Sequence, residues 1–127
     1  MPRLTTSTDA APAPVGPYSQ GARVGDVLAV AGQVGITAAG VTAEGIAAQT
    51  RQAFENIGAI LTAAGAGFED VVQVRVFLVD KGDFAAMNDV YAEFFDSRPP
   101  ARSTVYVGLP RDLLVEIDVL AVLDGER

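Results

Sequence analysis

The chain has 127 residues, half of them hydrophobic, a formal net charge of −7, and neither cysteine nor histidine. That length suits one domain with one core, and the hydrophobic content excludes a disordered chain. Lack of cysteine removes disulfides and thiolate chemistry, and lack of histidine removes the usual neutral-pH base and the commonest metal ligand. The acidic balance works against binding a phosphate backbone.

No apolar run reaches the ~18 residues of a membrane span. Residues 1–11 form a Thr/Ser/Pro-containing segment and lack the long apolar stretch of a secretory signal. The composition therefore points to a cytoplasmic protein with no metal, no nucleic-acid partner and no membrane partner. Residues 1–11 read as a flexible terminus, 12–123 as a single domain and 124–127 as a solvated tail.

In chain order, residues 19–24 and 27–34 read as two strands around Gly25-Asp26, a hairpin signal. Tyr18 opens this unit; beside Gly and Pro, a tyrosine is commonly a packing residue. Thr42 is placed to cap a helix over 46–64, where Ile46, Thr50, Ala53, Phe54, Ile57, Ile60, Leu61 and Ala64 follow i, i+3/i+4 spacing. Gly65 and Gly67 stop it. Residues 71–79 are dense in β-branched side chains, with Gln73 and Arg75 alternating against valines, and read as a central strand. Asp83 is placed to cap a second helix running to about Phe95, with Phe84, Met87, Tyr91, Phe94 and Phe95 on its core face. Asn88 lies off that stripe and reads on spacing alone as a solvated position.

Residues 99–119, PPARSTVYVGLPRDLLVEIDV, carry the chemistry. From 113 to 122 the odd positions are all apolar, so they face a core, and Glu116 and Asp118 lie on the other face. In 101–107, Arg102, Thr104 and Tyr106 form one set. The intervening Gly108-Leu109-Pro110-Arg111-Asp112 predicts an antiparallel hairpin with Thr104 opposite Glu116 and Arg102 opposite Asp118. Arg102 and Glu116 are then diagonal neighbours on one face, about 7–8 Å apart at the backbone. A guanidinium there matches a carboxylate ligand, and a nearby glutamate can take a proton from water. The residues alone leave open a structural Arg–Glu or Arg–Asp pair on a solvated face.

The predicted order is β-β-α-β-α-β-β, an α+β mixed sheet with two helices on one face. The other face is then left to solvent or to another chain, which predicts an oligomer.

The segment P-P-A-R-S-T-V, followed by L-P and V-E-I-D, resembles the signature of the Rid (RidA/YjgF) family, the reactive-intermediate deaminases. Residues 13–21 (APVGPYSQG), Ala31-Gly32-Gln33, 49–57 (QTRQAFENI), and 83–88 (DFAAMN) with Tyr91, Phe94 and Phe95 resemble its other motifs in the same order. The resemblance runs from about residue 13 to 122. It implies a chorismate-mutase-like fold and a homotrimer with clefts between subunits. It also implies cofactor-independent hydrolysis of enamines and imines (2-aminoacrylate, 2-iminopropanoate, 2-iminobutanoate) to 2-oxo acids and ammonia. On that reading Arg102 binds the substrate carboxylate and Glu116 activates water. Tyr18 joins them as a catalytic residue lining the cleft, and Gly32, Ala31, Thr104 and Asn88 are substrate-binding, with the hydroxyls of Tyr18 and Thr104 orienting the substrate. Ala31 stands where the family's deaminases carry Ser, and Thr104 where many members carry Cys. Two other readings follow from the same resemblance: a non-catalytic trimer that binds small carboxylates and acts on a partner protein, and an endoribonuclease or translation inhibitor. The net charge and the absence of histidine weigh against the latter.

Overall fold

The computed structural model describes residues 1–124. The elements run β1 (Leu4–Thr6), β2 (Gly21–Val24), β3 (Val27–Val34), α1 (Ile46–Ala63), β4 (Val71–Leu78), α2 (Phe84–Tyr91), β5 (Ala101–Tyr106) and β6 (Val115–Val122). Short 3-10 turns, Phe68–Asp70 and Lys81–Asp83, precede β4 and α2. The strands form one six-stranded mixed sheet in the order β1-β2-β3-β6-β4-β5. This is the α+β architecture expected, with one strand more. The terminal segment read as frayed contributes β1, which pairs antiparallel with β2. The buried Gln20 amide fixes the chain that follows, accepting from the Thr8 N–H at 2.7 Å and donating to the Pro12 carbonyl at 2.9 Å. Residues 125–127 of the expected tail lie outside the described residues.

Alternation decides the faces. In β6, Val115, Ile117, Val119 and Ala121 are buried beneath the helices, as their period-two spacing requires. Val74 and Val76 of β4 and Leu28 and Val30 of β3 share that face. Phe54 of α1 is the hub of the helix layer, with rings of Phe68, Tyr91, Phe94 and Phe95 at 4.8–6.1 Å between centroids. Replacing it by alanine would cost about 3–5 kcal/mol.

α1 ends in a left-handed glycine closure. Gly65 has φ +79°, its N–H bonds the Thr62 carbonyl, and the Ala66 N–H bonds that of Leu61. Its start differs from expectation: Gly45 occupies the N-cap with no side-chain bond, while Thr42 bridges to Ile36. α2 stops at Tyr91, and its cap Asp83 makes no side-chain bond; Asp80 instead accepts from the Gly82 N–H. Phe84, read as core, is 40% exposed.

The largest correction concerns β5 and β6. They do not form a hairpin: β4 lies between them, parallel to β5 and antiparallel to β6. The chain steps over the end of β4, held by bonds from the Val107 N–H to the Leu78 carbonyl and from the Val79 N–H to the Leu114 carbonyl. Gln49 of α1 secures that crossing, donating to the Asp112 carbonyl and accepting from the Leu114 N–H. The physical reason is that a valine-rich strand can be flanked on both edges. β4 gains two ladders this way, where a β5–β6 hairpin would leave one of its edges bare.

The opposite sheet face carries no helix. Val24, Val27, Val105 and Val122 stand 43–47% exposed there, in register with one another or with outward-facing residues of neighbouring strands.

Candidate functional site

With β4 inserted, the two charged residues at the centre of the sequence reading part company. Arg102 pairs in register with the buried Val74, and Thr104 with the buried Val76, so both project to the helix side of the sheet. Glu116 pairs with Val34 and Phe77 on the helix-free side. Arg102 is level with Val74 and Val119, three residues along β6 from Glu116, so the two lie two strand spacings and three rises apart, roughly 14 Å at the backbone, on opposite faces. The expected diagonal contact within one chain is therefore overturned, and so is the pairing of Arg102 with Asp118. Asp118 faces Arg75 and takes a bidentate bond from it at 2.8 and 2.9 Å.

On the helix side, the Arg102 guanidinium lies 4.6 Å from the centre of the Tyr91 ring and 5.7 Å from that of Phe84. Among the described residues it has no carboxylate within ion-pair distance. It borders an open cavity of about 410 Å³ with Tyr91, Phe95, Pro99 and Pro100. Asn88, expected off the aromatic stripe at a solvated position, is instead partly buried, and its i, i+4, i+7 spacing with Phe84 and Tyr91 puts it on the side of α2 that Arg102 overlies. Tyr91 is 7% exposed and its hydroxyl has no hydrogen-bond partner. Burial pushes its phenol up from the ordinary value, against the pull of the Arg102 guanidinium through its charge and its closeness to the hydroxyl.

On the helix-free side, β3 bulges. Val30 pairs with Val119 and Gln33 with Ile117, so Ala31 and Gly32 together oppose Asp118. The bulge brings the Gly32 backbone against Glu116: a Cβ built on Gly32 would stand 2.5 Å from Glu116 Oε2. The half-buried Glu116 carboxyl has no cation within ion-pair range among the described residues. Burial, and then the Asp118 charge, raise its pKa above the ordinary carboxylate value. Tyr18, 49% exposed, accepts from the Val15 N–H at 3.3 Å, which leaves its own proton free to donate. Tyr18, Ala31 and Gly32 border a cavity of about 730 Å³ that extends to Arg75 and Asp118.

The expected site residues thus fall into two groups: Tyr18, Ala31, Gly32 and Glu116 on one face, and Arg102, Thr104 and Asn88 on the other. Sequence reasoning gave Tyr91 to the core and missed its contact with Arg102. The i+7 relation to Phe84 placed both rings on one stripe, but nothing local says that an arginine of a later strand will lie over them.

Against known proteins, the family model described as Endoribonuclease L-PSP matches residues 8–123. A RutC family protein of Saccharolobus solfataricus is 49% identical over 117 residues, covering 90% of this chain and 93% of its own. A 2-iminobutanoate/2-iminopropanoate deaminase of Dermatophagoides farinae is 44% identical, covering 97% and 98%. The crystal structure of E. coli TdcF with bound serine superposes with a TM-score of 0.91 at 36% identity, covering 95% of this chain and 99% of that one. The α+β sheet with its two helices on one face, and these matches along almost the whole chain, show that the protein belongs to the Rid (YjgF) family.

Proposed function

We propose that the protein hydrolyses small enamines and imines bearing a carboxylate, such as 2-aminoacrylate and its 2-imino acid tautomer, to 2-oxo acids and ammonia. The observation that carries this reading is a pair of unsatisfied charges. Among the described residues Arg102 has no carboxylate partner and borders a cavity, and Glu116 has no cation partner and a raised pKa. A guanidinium left without a counterion beside a cavity is matched in charge and shape to a carboxylate ligand. A carboxylate whose pKa is lifted toward neutrality is a stronger base for a water molecule. The imine carbon is already electrophilic, so holding it beside an oriented water supplies much of what the reaction needs. Water adds to the C=N carbon as Glu116 takes one of its protons and passes it to the imine nitrogen, giving a neutral carbinolamine; Glu116 then takes the carbinolamine hydroxyl proton and delivers it to the amine, so that the C–N bond breaks, C=O forms and ammonia leaves. The deaminase name of a 44% identical relative agrees with this chemistry.

Arg102 and Glu116 stand on opposite faces of one chain, so a single small substrate reaches both only where a second copy meets the first. The helix-free face, with its exposed valines, is the surface that invites such a copy. The reading therefore includes a homo-oligomer, a trimer on the family pattern, with sites shared between neighbours: Arg102, Thr104 and Asn88 from one subunit, and Glu116, Tyr18, Ala31 and Gly32 from the next.

The test is an assay in which 2-aminoacrylate is generated in situ and release of 2-oxo acid is followed. Arg102→Ala is expected to lose roughly 30- to 1,000-fold in kcat/KM, the equivalent of about 2–4 kcal/mol. An unchanged rate removes Arg102 from the mechanism. Mixing Arg102→Ala with Glu116→Gln after denaturation and refolding should restore about a quarter of wild-type activity, since that share of shared sites receives both intact residues. No restoration means the two residues do not meet across subunits.

Ala31 favours a second reading. With alanine where the family's deaminases carry serine, the helix-free half-site lacks one hydroxyl, and the protein is then a non-catalytic binder of small carboxylates. Pyruvate binding without accelerated 2-oxo acid release would establish that reading. RNA binding that weakens steeply with salt would instead revive the endoribonuclease reading, against the charge of −7.

A further inference from the structure

We propose that Tyr91 is a positioning residue for Arg102: its buried ring is the platform that holds the guanidinium at the cavity edge and so sets the preference for carboxylate ligands. This deepens the reading above and rests on Arg102 being the carboxylate anchor.

Arg102 carries a long, rotamer-rich side chain on the edge strand β5, and ordering such a chain costs conformational entropy. An ion pair often meets that cost, as Asp118 does for Arg75. Arg102 has none among the described residues. What it has is the Tyr91 ring at 4.6 Å, well inside the ~6 Å range of a cation–π contact, with Phe84 farther off at 5.7 Å. The Tyr91 ring is itself immobilised, packed at 4.9 Å from Phe95 and 5.5 Å from Phe54. A fixed ring under a guanidinium holds it without neutralising it. An aspartate in the same place would hold it equally well and consume the charge that a ligand needs.

The Tyr91 hydroxyl also lies near Arg102. It is sealed from water and, among the described residues, has no partner in good hydrogen-bond geometry; the Arg102 guanidinium is close enough to pull its pKa down by a contact of that kind, and the Tyr91→Phe variant below separates that contact from the ring.

The experiment measures pyruvate affinity by calorimetry for the intact protein, Arg102→Ala, Tyr91→Phe, and Tyr91→Phe analogues bearing one to three ring fluorines. Fluorination drains the ring face of negative charge while keeping its shape, so the core packing is preserved, and thermal melts verify it. The expectation is that Tyr91→Phe retains affinity within about twofold, and that affinity then falls stepwise with each fluorine, to about threefold to tenfold weaker at three. Pyruvamide, which lacks the carboxylate charge, should bind all of these variants equally. A flat fluorine series, in a protein whose Arg102→Ala variant does lose pyruvate, overturns the role of Tyr91 and leaves the carboxylate anchor standing. Undiminished pyruvate binding by Arg102→Ala overturns the anchor, and the role of Tyr91 with it.

Discussion

Arg75 and Arg102 stand almost side by side on the neighbouring strands β4 and β5, where Arg75 pairs with Ser103. The fold treats them in opposite ways. Arg75 lies on the helix-free face, 59% exposed, and spends its guanidinium on both oxygens of Asp118. Arg102, one register step away and therefore on the other face, meets two aromatic rings and, among the described residues, no carboxylate. The difference teaches that charge partnership in a sheet is set by face and by neighbouring strand, not by proximity in sequence. Asp118 is sixteen residues from Arg102 and forty-three from Arg75, yet it pairs with the latter. The arginine without an ion pair among the described residues is the one proposed above to meet a ligand.

The sharpest way to break this contrast is through the carboxylate that Arg75 leaves alone. Glu116→Gln removes the proposed base and should lower kcat by roughly 100-fold or more, with KM little changed; a rate within threefold of wild type assigns the base elsewhere. Because burial raises the Glu116 pKa in the folded protein, its contribution to stability is present below the unfolded value and lost as pH rises through the folded one. Glu116→Gln should therefore melt no lower than wild type at neutral pH, which separates lost chemistry from lost fold.

Gly32→Ala follows in size. Its Cβ would stand 2.5 Å from Glu116 Oε2, so the carboxyl must shift, and an activity loss of about 10–100-fold is expected from a displacement of this order. Normal turnover by this variant would show that the bulge does not set the carboxylate in place.

Next comes pH. As the proposed base, Glu116 works as its carboxylate, so kcat should fall as pH falls through a pKa above the ordinary glutamate value. Arg75→Ala strips Asp118 of its bidentate partner and exposes Glu116 to a bare neighbouring charge, which should move that acid limb upward. An unmoved limb would mean that Asp118 is not felt at Glu116. The smallest effect expected is that of Arg75→Ala on stability, about 0–1 kcal/mol by thermal or urea unfolding, since the pair is exposed on the arginine side. A larger loss would show that this face is covered by another chain, with the pair desolvated in the assembly.

Local pattern alone determined much of this protein. The odd positions of β6 are buried as their alternation requires, α1 follows its i, i+3/i+4 stripe to the glycine that closes it, and β3 spans the residues its pattern marks. These features depend on a few neighbouring residues and a fixed period. The candidates for the site could also be picked from the sequence, because an arginine and a glutamate inside apolar strands demand an explanation wherever the strands go. What the tertiary structure decided was which strand lies beside which. Residues 107–114 look like a hairpin turn, and only the competition of β4 for both partners converts them into a crossing. That one change places Arg102 over Tyr91, gives Asp118 to Arg75 and sets Arg102 and Glu116 on opposite faces. Strand order is a contest among long-range ladders of similar strength, and no local stretch of sequence contains all the contestants.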